Sequence, residues 1–140
     1  MIAPQDPAEV VLHEDLLDYT PFPKAVALAR RRAVRLVGEW GYGEIAGDVG
    51  VLVSELATNA LVHGRVKGRL FRVHLVGTGR VVRVAVSDAR GEALPSECEP
   101  GEEDLGGRGL VIVRGLAARW GVREREVGKT VWCEVDVRQE

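Results

Sequence analysis

The chain has 140 residues, 46% hydrophobic and 29% charged, which suits one domain with a real core and leaves too little for two. A formal net charge of -2 excludes broad, sequence-blind nucleic-acid binding, which needs a basic surface. Two cysteines, Cys98 and Cys133, stand far apart without paired spacing, so neither a metal motif nor a disulfide framework is implied, and a reducing cytoplasm is the simplest compartment.

No stretch approaches the roughly 18 apolar residues a membrane span requires, and the opening MIAPQDPAEV lacks the basic region and apolar core of a secretion signal. Residues 1–9 read as a flexible arm, and residues 10–140 as a single domain. Val10 to Leu17 holds a short edge strand, punctuated by Thr20-Pro21-Phe22-Pro23. A helix follows from about Lys24 to Glu39, with Val26, Ala29, Ala33, Leu36 and Val37 on its apolar face. Arg30, Arg31, Arg32 and Arg35 make its other side basic; a solvated face is the plain reading of such a run. Gly38, Gly41 and Gly43 stop that helix, and Asp48 is placed to cap the next.

The next helix, VLVSELATNALVHG from Val51 to Gly64, organises the chain. Val49, Leu52, Val53, Leu56, Ala60 and Leu61 recur with helical period and one buried face. Glu55, Asn59 and His63 follow one another at intervals of one turn and form a slanted stripe at the margin of that face. A carboxylate and an amide so placed can address one ligand; they can equally be the wet edge of an amphipathic helix.

Strand periodicity begins at Leu70. Phe71, Val73 and Leu75 alternate with Arg72 and His74; Gly77-Thr78-Gly79 turns the chain, and Val82, Val84 and Val86 continue. This is a hairpin, closed by Ser87-Asp88-Ala89-Arg90-Gly91. Residues 92–106 lack periodicity and gather six acids, a composition suited to a lid or binding loop. Gly106-Gly107-Arg108-Gly109-Leu110 then opens a helix to about Trp120. The last hairpin runs from Arg119 to Glu126, turns at Val127-Gly128-Lys129, and returns from Thr130 to Val137. Val131, Cys133, Val135 and Val137 point one way; Trp132, Glu134 and Asp136 point the other. The class is α+β, a two-layer sandwich with helices on one face of a mixed, mainly antiparallel sheet.

Several residues suit a nucleotide. A glycine-rich turn that opens a helix offers free backbone N–H groups and a partial positive charge to phosphate. A Rossmann reading fails, because a long acidic loop rather than a strand precedes Gly107. Gly128-Lys129-Thr130 resembles the end of a P-loop, but the required earlier glycine is Arg123, and a strand follows. Asp88, at a strand end, can accept a hydrogen bond from an exocyclic amine such as adenine's, or simply form a turn. Thr130 could bond the same base.

The ordered series Glu55-x-x-x-Asn59, Asp88-x-x-Gly91, Gly107-x-Gly109 and Gly128-Lys129-Thr130 resembles the GHKL ATP-binding superfamily, whose domains have the Bergerat fold. Within it the chain looks most like the stand-alone anti-sigma factor serine kinases, over roughly Lys24 to Val137. The resemblance implies ATP and Mg²⁺, with Asn59 as the Mg²⁺ ligand and Glu55 as general base. It implies Asp88 as the adenine-reading carboxylate, Gly91 as the glycine that admits the base, and Thr130 near adenine. Gly107, Arg108, Gly109 and Leu110 match the phosphate-cradling segment, and His63 a structural histidine. The second glycine of the family's Asp-x-Gly-x-Gly loop is Ala93 here.

Two functions follow from the resemblance. One is an ATP-dependent protein serine/threonine kinase acting on a small anti-sigma factor antagonist, in regulation of transcription. The other is a nucleotide-gated module that sequesters a sigma factor or another regulator without turnover, with the basic helix face as its feature. A detached histidine kinase catalytic domain ranks last, since no dimerisation helix with a phospho-acceptor histidine precedes the domain. A cytoplasmic protein is expected, with no direct nucleic-acid or membrane partner, and a homodimer is a family-level expectation.

Overall fold

The computed structural model describes residues 9–63, 69–88, 106–124 and 128–137, and, within these, not the side chains of residues 63 and 106–110. Eight elements follow in chain order: β1 (His13–Tyr19), α1 (Pro23–Glu39), α2 (Gly43–His63), β2 (Phe71–Gly77), β3 (Val81–Ser87), α3 (Gly106–Leu116), β4 (Arg119–Glu124) and β5 (Lys129–Asp136). The five strands form one sheet in the order β1-β2-β3-β5-β4. Each of its pairings is antiparallel. The helices cover one face, giving the α+β two-layer architecture.

The period-2 alternation of the strands decides which side chains meet the helices. Val73 and Leu75 of β2, Val82, Val84 and Val86 of β3, and Val131, Cys133 and Val135 of β5 all join the buried core. From the helices come Ala29, Ala33 and Val37 of α1, and Val49, Leu52, Val53, Leu56, Ala57 and Ala60 of α2. Burying a side chain such as Leu52 or Leu56 contributes about 1.5–3 kcal/mol.

α2 starts well before the expected cap. Ile45, Ala46 and Val49 are already buried, so the apolar period extends upstream and Asp48 lies inside the helix rather than at its start. The chain instead reverses at Gly41, whose φ of 98° a side chain rarely adopts. Within α2, Gly50 has a different use. A Cβ there would stand 2.5 Å from Val34 Cγ2, so the missing side chain lets α1 and α2 approach closely.

α2 packs against α1 on one side and against β2, β3 and β5 on another. This explains a departure from the sequence expectation: Gly43–Val62 is long and apolar enough, by length and composition, to cross a membrane. A helix enclosed on two sides by its own fold meets the same description, and more than half of this stretch is buried.

α1 begins at Pro23, which suits the first helical position. Its arginines are not simply a solvated face. Arg32 donates to both carboxylate oxygens of Asp15 on β1, at 2.9 and 2.7 Å, and Arg35 pairs with Glu39 one turn on. The β2–β3 turn is closed by Thr78, whose Oγ1 accepts from the amides of Arg80 and Val81. α3 ends at Leu116 rather than near Trp120, because the Ala118 amide donates to the Glu134 carbonyl and draws the chain into β4.

The other face of the sheet carries a charge network. Arg83 of β3 bonds Glu134 of β5 and Glu9. Glu134 also accepts from Arg119 of β4, which reaches Asp136 as well. Beside this network the Trp132 indole lies over Gly121, where a Cβ would come within 2.9 Å of the ring.

Candidate functional site

The candidate residues on α2 are held by a helix whose flanking positions are locked in the core. Leu56, Ala57 and Ala60 are at most 4% exposed. Glu55 is half-buried, one turn before Asn59. Asn59 is buried, at 5% exposure. Its Oδ1 has no hydrogen-bond partner. An unsatisfied buried acceptor costs about 1–3 kcal/mol, which makes this oxygen a candidate ligand atom. His63 closes α2.

Asp88 follows the last residue of β3 and is 5% exposed. Its amide donates to the Lys129 carbonyl at 3.0 Å, which prolongs the β3–β5 ladder by one step beyond the Ser87–Thr130 pair. By alternation Asp88 continues the row of Val82, Val84 and Val86, on the side facing the helices. α2 packs directly on β3, so the Asn59 amide and the Asp88 carboxylate belong to adjoining buried elements.

Across that end of the sheet, the helix-facing positions can be read from the register. Tyr19 pairs with Phe71 and stacks on it at 5.5 Å. Phe71 falls opposite Asp88, one step beyond the Arg72–Ser87 pair. Lys129 lies opposite Asp88 on the other side and pairs with Glu124 of β4. An apolar ring, a carboxylate and an ammonium therefore stand in one row. Lys129 is 8% exposed, well below what a lysine usually shows.

Thr130 lies on the opposite face. Its Oγ1 is 2.7 Å from Ser87 Oγ, and both residues alternate with the core positions Val86 and Val131. The hydroxyl expected near the base is thus engaged on the side away from the helices, while Lys129 occupies the helix-facing position. The signal was present in the sequence: Val131, Cys133 and Val135 point inward, and stepping back by two reaches Lys129.

Gly107, Arg108, Gly109 and Leu110 form the first turn of α3. This helix packs against α2. A helix whose N-terminus is of the kind that binds phosphate thus lies against the helix that carries Asn59. Gly91, Ala93 and most of the acidic stretch at 92–106 lie outside the described residues.

The donor set fits a magnesium nucleotide. Mg²⁺ takes oxygen ligands, and the orphaned Asn59 Oδ1 is such an oxygen; Asp88 is a buried acceptor suited to an exocyclic amine. Among the described residues no group of three or more His, Cys, Asp or Glu could hold a metal alone.

Comparison with known proteins points the same way. The histidine kinase-like ATPase domain family matches residues 20–134. Blue-light-activated histidine kinase 2 of Erythrobacter litoralis (strain HTCC2594) is 36% identical over 102 residues, covering 69% of this chain and 29% of that protein. The solved blue-light activated histidine kinase EL346 of Erythrobacter litoralis shows 31% identity over 70% of this chain and 32% of its own, with a TM-score of 0.47. The chain spans less than a third of either relative. Blue-light-activated histidine kinase 2 is named as a histidine kinase, where the sequence resemblance leaned toward serine kinases of the anti-sigma type.

Proposed function

This chain belongs to the histidine kinase-like ATPase domain family and is an ATP-binding domain of that kind; on that premise we propose that it is a regulatory protein kinase that phosphorylates serine on a small antagonist protein. The observation that carries the nucleotide part is the buried Asn59 Oδ1 without a partner. The protein partner comes from the sequence resemblance.

In this reading Asp88 accepts a hydrogen bond from the adenine amine, and its burial strengthens that bond. Asn59 supplies an amide oxygen to Mg²⁺, and the first turn of α3 presents backbone N–H groups to the phosphates. Bound Mg²⁺ neutralises charge on the phosphate oxygens. Glu55 takes the proton of the attacking serine hydroxyl as its oxygen bonds to the γ-phosphorus and the bond to the β-phosphate oxygen breaks. Such transfers need positioning and charge neutralisation more than covalent help. The partners proposed are a sigma factor, an anti-sigma factor antagonist or both, in the cytoplasm.

Two measurements test this. Calorimetry should show Mg²⁺-dependent ATP binding that is lost in Asn59→Ala; unchanged binding would remove the metal role. Transfer of phosphate to an added antagonist protein should vanish in Glu55→Ala. Binding without transfer to any partner would favour the sequestering module.

A second reading, favoured by the name of the 36% identical relative, is a histidine kinase catalytic domain. His13 does not supply its acceptor in this fold. It opens strand β1 and stacks on Trp40 at 5.1 Å, rather than standing on a dimerisation helix. Incubation with a separate acceptor protein and analysis for acid-labile phosphohistidine would distinguish the two.

A further inference from the structure

We propose that Lys129, not Thr130, is the second base-reading residue, and that with Asp88 it forms a fixed acceptor–donor pair selective for the adenine edge. The assignment rests on the nucleotide reading above and adds a specificity residue to it.

The face of the sheet decides the matter. Val131, Cys133 and Val135 of β5 are in the core, so Lys129 points to the same side. The intervening residues point away: Thr130 meets the Ser87 hydroxyl, the Trp132 ring lies over Gly121, and Glu134 bonds Arg83. Asp88 shares the helix-facing row and bonds the Lys129 carbonyl through its amide. Residues directly opposite each other in a ladder have Cβ atoms about 5 Å apart, a separation that suits two adjacent groups on one base.

The chemistry of the two side chains is complementary and one-directional. A carboxylate only accepts hydrogen bonds, and an ammonium only donates them. Adenine presents a donor, its 6-amino group, beside an acceptor, ring N1. Hypoxanthine and guanine present the reverse, an acceptor at O6 and a donor at N1. A threonine hydroxyl both donates and accepts, so it would tolerate either order; Lys129 does not. Burial of both residues, at 8% and 5% exposure, removes the water that would soften a mismatch.

The test uses the full chain and three probes: ATP, 1-deaza-ATP (in which N1 is replaced by a C–H group) and inosine triphosphate. Wild type should bind ATP about tenfold more tightly than 1-deaza-ATP, as expected for one hydrogen bond from a charged donor, and inosine triphosphate more weakly still. Lys129→Met should bind ATP and 1-deaza-ATP alike, whereas Thr130→Val should keep the wild-type preference. Equal affinity of wild type for ATP and 1-deaza-ATP would overturn the assignment without recourse to any variant. So would a preference retained in Lys129→Met or abolished in Thr130→Val. Failure of wild type to bind ATP at all would overturn the parent reading, a result distinct from ATP binding without N1 discrimination.

Discussion

Arg83 and Glu134 face each other across β3 and β5, with Arg83 Nη2 2.6 Å from Glu134 Oε2, on the side of the sheet away from the described helices. Both side chains are largely buried, at 3% and 11% exposure. Breaking a buried pair leaves one charge stranded, which costs about 3–5 kcal/mol, whereas replacing both charges with apolar groups is far milder. Here Glu134→Ala leaves Arg83 with Glu9 and Arg119 with Asp136, so it should lower the unfolding free energy by a smaller amount, about 1–3 kcal/mol, in urea titration. The double change Arg83→Met with Glu134→Leu should recover much of that loss.

The Asp15–Arg32 pair gives a pH signature. The Arg32 hydrogen bonds hold the Asp15 carboxyl below its ordinary value of 3.8, against the opposing effect of burial. A carboxyl depressed in the folded state stabilises the fold above its unfolded pKa, and that contribution is lost as pH falls through the folded value. Arg32→Met should thus be less stable than wild type at neutral pH, and the gap should close as pH drops below about 4. Chemical unfolding at pH 7 and at successively lower pH checks this.

The α1–α2 crossing depends on one absent side chain. Gly50→Ala would gain helix propensity worth about 1 kcal/mol, but its Cβ would collide with Val34, whose branched side chain has few alternative rotamers. A net loss of about 1–2 kcal/mol is expected. Adding Val34→Ala should relieve it, a non-additivity that a double-mutant cycle of unfolding free energies would read directly.

Asn59 predicts opposite effects on stability and binding. Asn59→Leu removes a buried acceptor that has no partner. The nucleotide-free protein should be as stable as wild type or more stable by about 1 kcal/mol. Mg²⁺-dependent ATP affinity should fall in the same variant. A large loss of stability by thermal melting would show that the amide has a structural task instead.

Cys133 is a reporter of global opening. Burial pushes its thiol up to about 12, from an ordinary 9.0. Folding therefore retains a proton, and this contribution drains away as pH rises past the unfolded value toward the folded one. In a Cys98→Ser background, a thiol reagent at pH 8 should modify Cys133 only as fast as the chain unfolds.

Much of this fold was legible because periodicity reports burial. Ala29, Ala33 and Val37 mark the α1 face, and the alternating valines of β3 and β5 mark the core side of the sheet. The start of α2 was not, because Gly43, Gly47 and Gly50 look like breakers while Ile45, Ala46 and Val49 are already packed. A glycine required by a neighbouring helix cannot be told from one that ends a helix without knowing what lies beside it. The pairing of Arg32 with Asp15 was hidden for the same reason, since its partner lies on another element. On the candidate site, spacing put Glu55 and Asn59 on one stripe of α2, while Asp88 and Thr130 came from the ordered motif series; the face on which Thr130 lies, beside Ser87 and away from the core, emerges only from the register.

β1 holds the outer margin of the sheet, and every residue from His13 to Tyr19 has a partner on β2. The family match begins only at residue 20. A fragment trimmed to that match would keep the helices and the row around Asp88, yet leave Phe71 to Gly77 as a bare rim, with amides and carbonyls open to any passing strand. It would also lose Glu9 as a counter-charge for Arg83. Such a fragment should be more prone to associate with its own copies, through the exposed seam rather than through the residues on α2.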